Sequence, residues 1–152
     1  MKPNGLHISP IKPADFETWV NFSLALFPES SQKEMEDDLR RIAKLHKYQT
    51  FMARKDGSAI GYATVTLRTD HVEGAKTSPV GYLEAIYVQP EYRNHGVARA
   101  LFLQGQAWCK EKGCLEMGSD TWHWNKDAQA FHEKLGFKEE DILVHFYKKI
   151  DP

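Results

Sequence analysis

Tyr82-Leu83-Glu84-Ala85-Ile86-Tyr87-Val88-Gln89-Pro90-Glu91-Tyr92-Arg93-Asn94-His95-Gly96-Val97-Ala98-Arg99 carries an apolar, aromatic-rich strand through a short turn into a helix. Pro90 cannot donate to a sheet ladder and ends the strand. Gly96 and Ala98 leave the backbone bare where the helix begins, so the unpaired N–H groups of its first turn can approach an anionic oxygen with no side chain in the way. The stretch therefore reads as a phosphate cradle. An ordinary strand-to-helix connection with a glycine for the tight turn carries the same letters, and the local pattern alone leaves both readings open. The β-branched and aromatic strand before it and the helix start after it are the setting that the phosphate mechanism requires.

Outward from this centre, residues 80–88 form the strand and residues 97–112 the major helix, with Val97, Ala98, Leu101, Phe102, Trp108 and Cys109 on its inner side and Gly113 at its end. On the N-terminal side, Asp56-Gly57 is a strong hairpin signal joining strands at 48–54 and 60–67. Before them come a strand at 7–11, a helix opened by Pro13-Ala14-Asp15 with Phe16, Trp19, Val20, Ser23 and Leu24 inward, and a second helix with Met35, Leu39, Ile42 and Leu45 on one face. Ser31 and Glu34 have the spacing of a capping box for that second helix. The loop at 68–79 is long for a tight domain, which suits a functional loop. On the C-terminal side the pattern predicts a short strand at 115–119, a helix at 127–135 capped by Gly136, and a last strand at 143–149. The resulting order is an α/β fold, one mixed sheet covered by helices on both faces.

The whole chain of 152 residues, 41% hydrophobic and 27% charged, suits a single domain spanning residues 1–152 with room for a core. Twenty basic against twenty-one acidic residues leave a net charge of −1, so no global field draws the protein to nucleic acid or to an anionic membrane. No apolar run has membrane-spanning length, and no apolar core follows Met1-Lys2-Pro3-Asn4-Gly5 as in a secretory signal, so a cytoplasmic protein is expected. Cys109 and Cys114 are the only cysteines and have no second pair at metal spacing; they read as core fillers, and no metal is expected.

The order of elements, Arg93-x-x-Gly96-x-Ala98 after a strand, and Asn125-x-x-Ala128-x-x-x-His132-x-x-x-Gly136-Phe137 resemble the GNAT superfamily of acyl-CoA-dependent N-acetyltransferases. Within it, Leu67-Arg68-Thr69-Asp70, Val72-Glu73-Gly74, Ser78-Pro79-Val80, Leu83-Glu84, Gly113-Cys114-x-Glu116-Met117-x-Ser119-Asp120-Thr121 and Leu135-Gly136-Phe137 are similar to short, single-domain aminoglycoside 6'-N-acetyltransferases. The resemblance implies a mixed, mostly antiparallel sheet whose central strands splay to form a cleft for acetyl-CoA. It also implies acetyl transfer to the 6'-amine of an aminoglycoside, a small polycation, by direct attack on the thioester.

Carried onto this chain, the resemblance implies that the backbone amides of Asn94, His95, Gly96, Val97, Ala98 and Arg99 hold the CoA pyrophosphate, with Arg93 nearby for a charged contact. Ile86, Tyr87 and Val88 would line the pantetheine arm, and an amide at or beside Ile86 would polarise the thioester carbonyl. Glu84, one strand period before Ile86, is expected on the same face, where its carboxylate orders the amine and takes its proton directly or through water. Asp120 matches the substrate-side aspartate, at a strand's carboxyl end where open α/β sheets place ligands; an N-cap for the following turn is its competing role. Glu73 and Glu139 or Glu140 would complete an acidic rim around a cationic sugar, although charge runs such as Glu139-Glu140-Asp141 are usually just solvated. His132 stands where many members of the superfamily carry a tyrosine that protonates the thiolate, and is not taken as catalytic. Phe27 replaces a usual tryptophan, His71 a usual tyrosine and Ala85 a usual glycine, and Trp122-His123-Trp124 is bulky where small or acidic residues are expected. These departures lie on the acceptor side. Another small amine, a polyamine or a protein lysine therefore stays open as the acceptor, as does a non-catalytic acyl-CoA-binding module. Short members often pair C-terminal strands into homodimers, and the alternating stretch 142–150 suits such an edge.

Overall fold

The computed structural model describes residues 3–152. They divide into two compact units, one ending at Asp120 and the other running Thr121–Pro152.

The first unit is built on strand β1 (Leu6–Pro10), a single 3-10 turn at Pro13–Asp15, helices α1 (Phe16–Leu26) and α2 (Gln32–Ala43), strands β2 (Tyr48–Lys55), β3 (Ser58–Arg68) and β4 (Val80–Val88), helix α3 (Val97–Glu111) and the short strand β5 (Met117–Ser119). The five strands lie in chain order in one sheet, antiparallel through β4, with β5 parallel to β4. The start of α2 carries the expected reciprocal cap: Ser31 Oγ accepts from the Glu34 N–H and the Glu34 carboxylate from the Ser31 N–H. Asp56 and Gly57 take φ of 49° and 87°, the left-handed pair that a tight hairpin of this twist demands.

Alternation along the strands sorts the core into two layers. Phe51, Ala53, Ile60, Ala63 and Val88 pack with Val97 and Leu101 of α3. Met52 and Tyr62 face the other way, against Trp19, Val20 and Phe22 of α1 and Met35 and Leu39 of α2. Helices therefore cover both faces, and each fully buried aliphatic side chain such as Leu101 contributes about 1.5–3 kcal/mol by leaving water.

The loop at 69–79 is tied down. Val72 is buried against Val80 and Tyr82, and the Glu116 carboxylate accepts from the N–H groups of Lys76 (2.9 Å) and Thr77 (2.8 Å) and from the Thr77 hydroxyl. The Thr77 hydroxyl, then the Lys76 amide, hold the Glu116 carboxyl below its ordinary value of 4.5. A carboxyl depressed in the folded state supplies its contribution above its ordinary value and loses it as pH falls through the folded one. Hydrogen-exchange protection of the Lys76 and Thr77 amides is thus expected to be present at pH 6, to be lost as the pH is taken down through the lowered value of Glu116, and to be missing throughout in Glu116→Ala; protection unchanged by the substitution would overturn the clasp.

The second unit holds helix α4 (Lys126–Lys134), whose N-cap Asn125 accepts from the Ala128 N–H at 3.1 Å and which ends before Gly136 at φ 99°. The last strand expected at 143–149 does not form: residues 137–152 take no regular secondary structure. Ile142, Leu143, Val144, Phe146, Tyr147 and Ile150 are 64–87% exposed. Alternation is a necessary signal for a strand, but a strand exists only where another backbone accepts its ladder.

Candidate active site

β4 changes its relation to its neighbours halfway along. Val65 faces Leu83 and Thr64 faces Ala85, so Glu84 is an extra residue, a β-bulge. Before the bulge, the Gly81 N–H points to the β5 side, donating to Glu116 O at 3.0 Å. After it, the Gln89 N–H points to the β3 side, donating to Ile60 O at 2.8 Å. Both are odd positions, and a regular strand would aim them at the same neighbour. The bulge has inverted the phase, so Ile86 and Val88 turn their N–H and C=O groups away from β3. On that side β5 pairs only with Gly81, Tyr82 and Leu83 and then departs. The Ile86 amide thus opens into the gap, while the Val88 carbonyl accepts from Arg93 Nε at 2.7 Å.

The same bulge corrects one expectation. Glu84 and Ile86 do not share a face: Ile86 packs in the α3 layer, whereas Glu84 lies on the side of Tyr82. Tyr82 points away from α3, because a Cβ at its neighbour Gly81 would meet Cys109 of α3 at 2.8 Å. On Tyr82's side four residues converge. Arg68 Nη2 donates to both Glu84 oxygens, 3.0 Å to Oε2 and closer to Oε1, and its guanidinium lies 3.4 Å from the Tyr82 ring centre. The Tyr82 hydroxyl donates to Asp120 Oδ2. Burial, then the bonded Asp120, push the Tyr82 phenol up, so it stays a neutral donor throughout the physiological range. Arg68 and Tyr82 were not singled out in the sequence; the signal available was Arg68 at a strand end beside a polar loop.

The helix mouth fits an anion. Asn94 (φ 64°) and Gly96 (φ 82°) both take left-handed backbone and curl the turn, and Gly96 is the N-cap of α3 with no side chain over it. The first helical bond runs from the Ala100 N–H to Gly96 O at 3.0 Å, so the amides of Val97 and Ala98 precede the ladder. Arg93 and His95 are used within the turn: besides its bond to Val88, Arg93 lies 5.6 Å from the Tyr87 ring centre, and His95 Nδ1 is 2.7 Å from Arg93 O. Arg99 is exposed on the first turn of α3, where with Ile8, Gly96 and Leu103 it lines a depression of about 330 Å³ on the β1 side of the helix. A bare edge of amides leading to a curled helix mouth suits a chain that ends in phosphates.

The sequence profile of the acetyltransferase (GNAT) family matches residues 16–137. The chain belongs to the GNAT family. An aminoglycoside N(6')-acetyltransferase type 1 of Serratia marcescens is 39% identical to it over 136 residues, 89% of this chain and 92% of the relative. The enzyme of that name from Stenotrophomonas maltophilia is 36% identical over 140 residues, 92% and 91% of the two chains. Among solved structures, AAC(6')-Iy in complex with a bisubstrate analogue, CoA-S-monomethyl-acetylneamine, superposes with a TM-score of 0.90 at 34% identity, covering 95% of this chain and 99% of that one. AAC(6')-Iy in complex with CoA gives 0.91, covering 99% and 100%.

The remaining site residues of the sequence reading fall on other segments of the chain. Phe27 is 38% exposed at the end of α1, and His71 and Glu73 are exposed on the loop at 69–79. In the second unit, Glu140 is exposed in the irregular segment; His132 contacts the Ala128 carbonyl at 2.6 Å and packs with Phe131 and Phe137. Trp122 and Trp124, both about two-thirds exposed, stack with ring planes 9° apart. The described residues contain no cluster of three or more His, Cys, Asp or Glu suited to a metal, and no helix among them is long and apolar enough to cross a membrane.

Proposed function

We infer that the protein is an acetyl-CoA-dependent N-acetyltransferase acting on the 6'-amine of aminoglycosides. The observation that carries this is the bulge at Glu84, which in one stroke turns the Ile86 amide toward the gap beside β4 and sets the Glu84 carboxylate on the Tyr82 face, where Arg68 and Tyr82 join it to Asp120. The named relatives and the structures with CoA and its aminoglycoside conjugate support the same acceptor.

In this reading acetyl-CoA supplies an activated acyl carbon. The free 6'-amine forms a bond to that carbon, the carbon–sulfur bond breaks, and the thiolate leaves with the electron pair. The Ile86 N–H stabilises the oxygen that becomes negative as the amine adds. Glu84 orients the amine and receives its proton, directly or through water, and Asp120 attracts the cationic sugar. The amides from Asn94 to Arg99 receive the pyrophosphate, and Tyr87 and Val88 continue the edge along the pantetheine arm. Phe27, His71, Glu73 and Glu140 shape the acceptor side. The exposed apolar residues of 142–150 support a homodimer in which a second copy covers them. The cytoplasm, where acetyl-CoA is available and the thiols of Cys109 and Cys114 stay reduced, is the compartment this chemistry requires.

The test is release of CoA thiol by purified protein offered kanamycin or tobramycin in one tube and spermidine in another. Turnover with the aminoglycoside, lost with an analogue lacking the 6'-amine, is expected; turnover with spermidine alone would move the acceptor to a polyamine. A further expectation concerns the helix mouth. Valine at position 96 would need a left-handed φ that costs an L-residue about 1–2 kcal/mol. Binding must restore that shape, so the Kd for CoA is expected to rise roughly five- to thirtyfold in Gly96→Val, measured by calorimetry; an unchanged Kd would remove the phosphate role from this turn.

A further inference from the structure

Arg68 has no part in the chemistry above, yet it sits at the centre of the acceptor-side carboxylates. It closes β3, opposite Val80 of β4. One nitrogen, Nη2, spans both oxygens of Glu84, and the guanidinium plane rests on the ring of Tyr82, whose hydroxyl holds Asp120. The Arg68 side chain is 39% exposed and that of Glu84 only 18%. A freely exposed ion pair would matter little, with a typical worth of about 0–1 kcal/mol. Here the acid is mostly out of water and the cation is also packed on an aromatic face, so neither partner is free to wander.

We propose that Arg68 is a positioning residue for the acceptor amine: it fixes the Glu84 carboxylate in one orientation, and through the Tyr82 ring it ties that carboxylate to Asp120. With Arg68 in place the geometry of the Glu84 carboxylate is set before the substrate arrives. The acceptor then meets one oriented oxygen of Glu84 and the free lone pairs of Asp120. The inference rests on the assignment of Glu84 and Asp120 to the acceptor side.

The experiment compares the full chain with Arg68→Gln, Arg68→Lys, Glu84→Gln and the two double variants, using acetyl-CoA and kanamycin, with CoA affinity measured in parallel. Arg68→Gln is expected to lower kcat/KM by about ten- to a hundredfold with CoA affinity unchanged. In the Glu84→Gln background the same change is expected to cost no more than about twofold, because Arg68 acts through Glu84. Arg68→Lys keeps the charge but loses the planar stacking and the contact with both oxygens, so it is expected to recover only part of the loss, with CoA affinity again unchanged. Full multiplication of the two losses, or a loss of CoA affinity that matches the loss of rate, would overturn the proposal. Should Arg68→Gln fail to fold, Arg68→Lys with and without Glu84→Gln decides by the same coupling. Equal rates for wild type and Arg68→Gln overturn this inference alone, whereas a wild type that turns over no aminoglycoside overturns the functional assignment beneath it.

Discussion

Glu84→Gln is expected to lower kcat with an aminoglycoside by about a hundredfold or more while leaving the Kd for CoA unchanged. Glutamine has nearly the same shape, so the bulge keeps its extra residue and the backbone of Ile86 and Val88 keeps its direction. What is lost is the charge that holds Arg68 and that, in the proposed reaction, takes the proton of the amine. The cofactor edge consists of backbone groups in the sheet plane and the carboxylate is a side chain on the Tyr82 face, so the charge can be removed with the edge intact, which is why the two quantities separate. Steady-state kinetics with kanamycin and a fluorescence titration with CoA read them independently. A parallel loss of CoA affinity would mean that Glu84 serves the cofactor edge, and a retained kcat would remove it from proton transfer.

Gly61→Ala is expected to damage stability and cofactor binding together. A Cβ on Gly61 would stand 2.5 Å from the Tyr87 carbonyl oxygen and 3.2 Å from the Val88 Cα, both backbone atoms of β4. A side chain can swing aside, but a paired backbone must move as a strand, and overpacking of this kind costs about 1–3 kcal/mol. For a chain of this size that lowers Tm by roughly 2–4 °C per kcal/mol. Because the displaced atoms flank Ile86, we expect CoA to bind about tenfold more weakly, in line with the 1.4 kcal/mol that a tenfold change represents. Calorimetric melting and CoA titration of the same sample check both, and an unchanged Tm would show that β4 has slack where none is expected.

Much of the fold was legible because its signals are local. The Ser31–Glu34 box, the Asp56-Gly57 turn, Pro90 after β4, and Gly113 and Gly136 past their helices each act on neighbouring backbone, and each stands where the residues predicted. The helix mouth at Gly96 belongs to the same class. The two strand ranges around Asp56-Gly57 were legible as well, and the structure sorts Met52 and Tyr62 onto one face and Phe51 and Ala63 onto the other. Alternation failed at Glu84 because a bulge is a property of two strands in register, and nothing in the letters around Glu84 records where β3 will slip by one residue.

The chain by itself therefore determined the order of its elements, their caps and turns, the two-sided core and the bare helix mouth, since all of these follow from residues a few positions apart. Only the tertiary structure decided the direction of the Ile86 amide, the face occupied by Glu84 and the meeting of Arg68, Tyr82, Glu84 and Asp120. Those four come from β3, β4 and the residue after β5, and their contact exists only once the sheet has set its register. The absent strand at 143–149 makes the same point from the other side: its alternation is complete, but pairing needs a partner backbone that no pattern within the segment can provide.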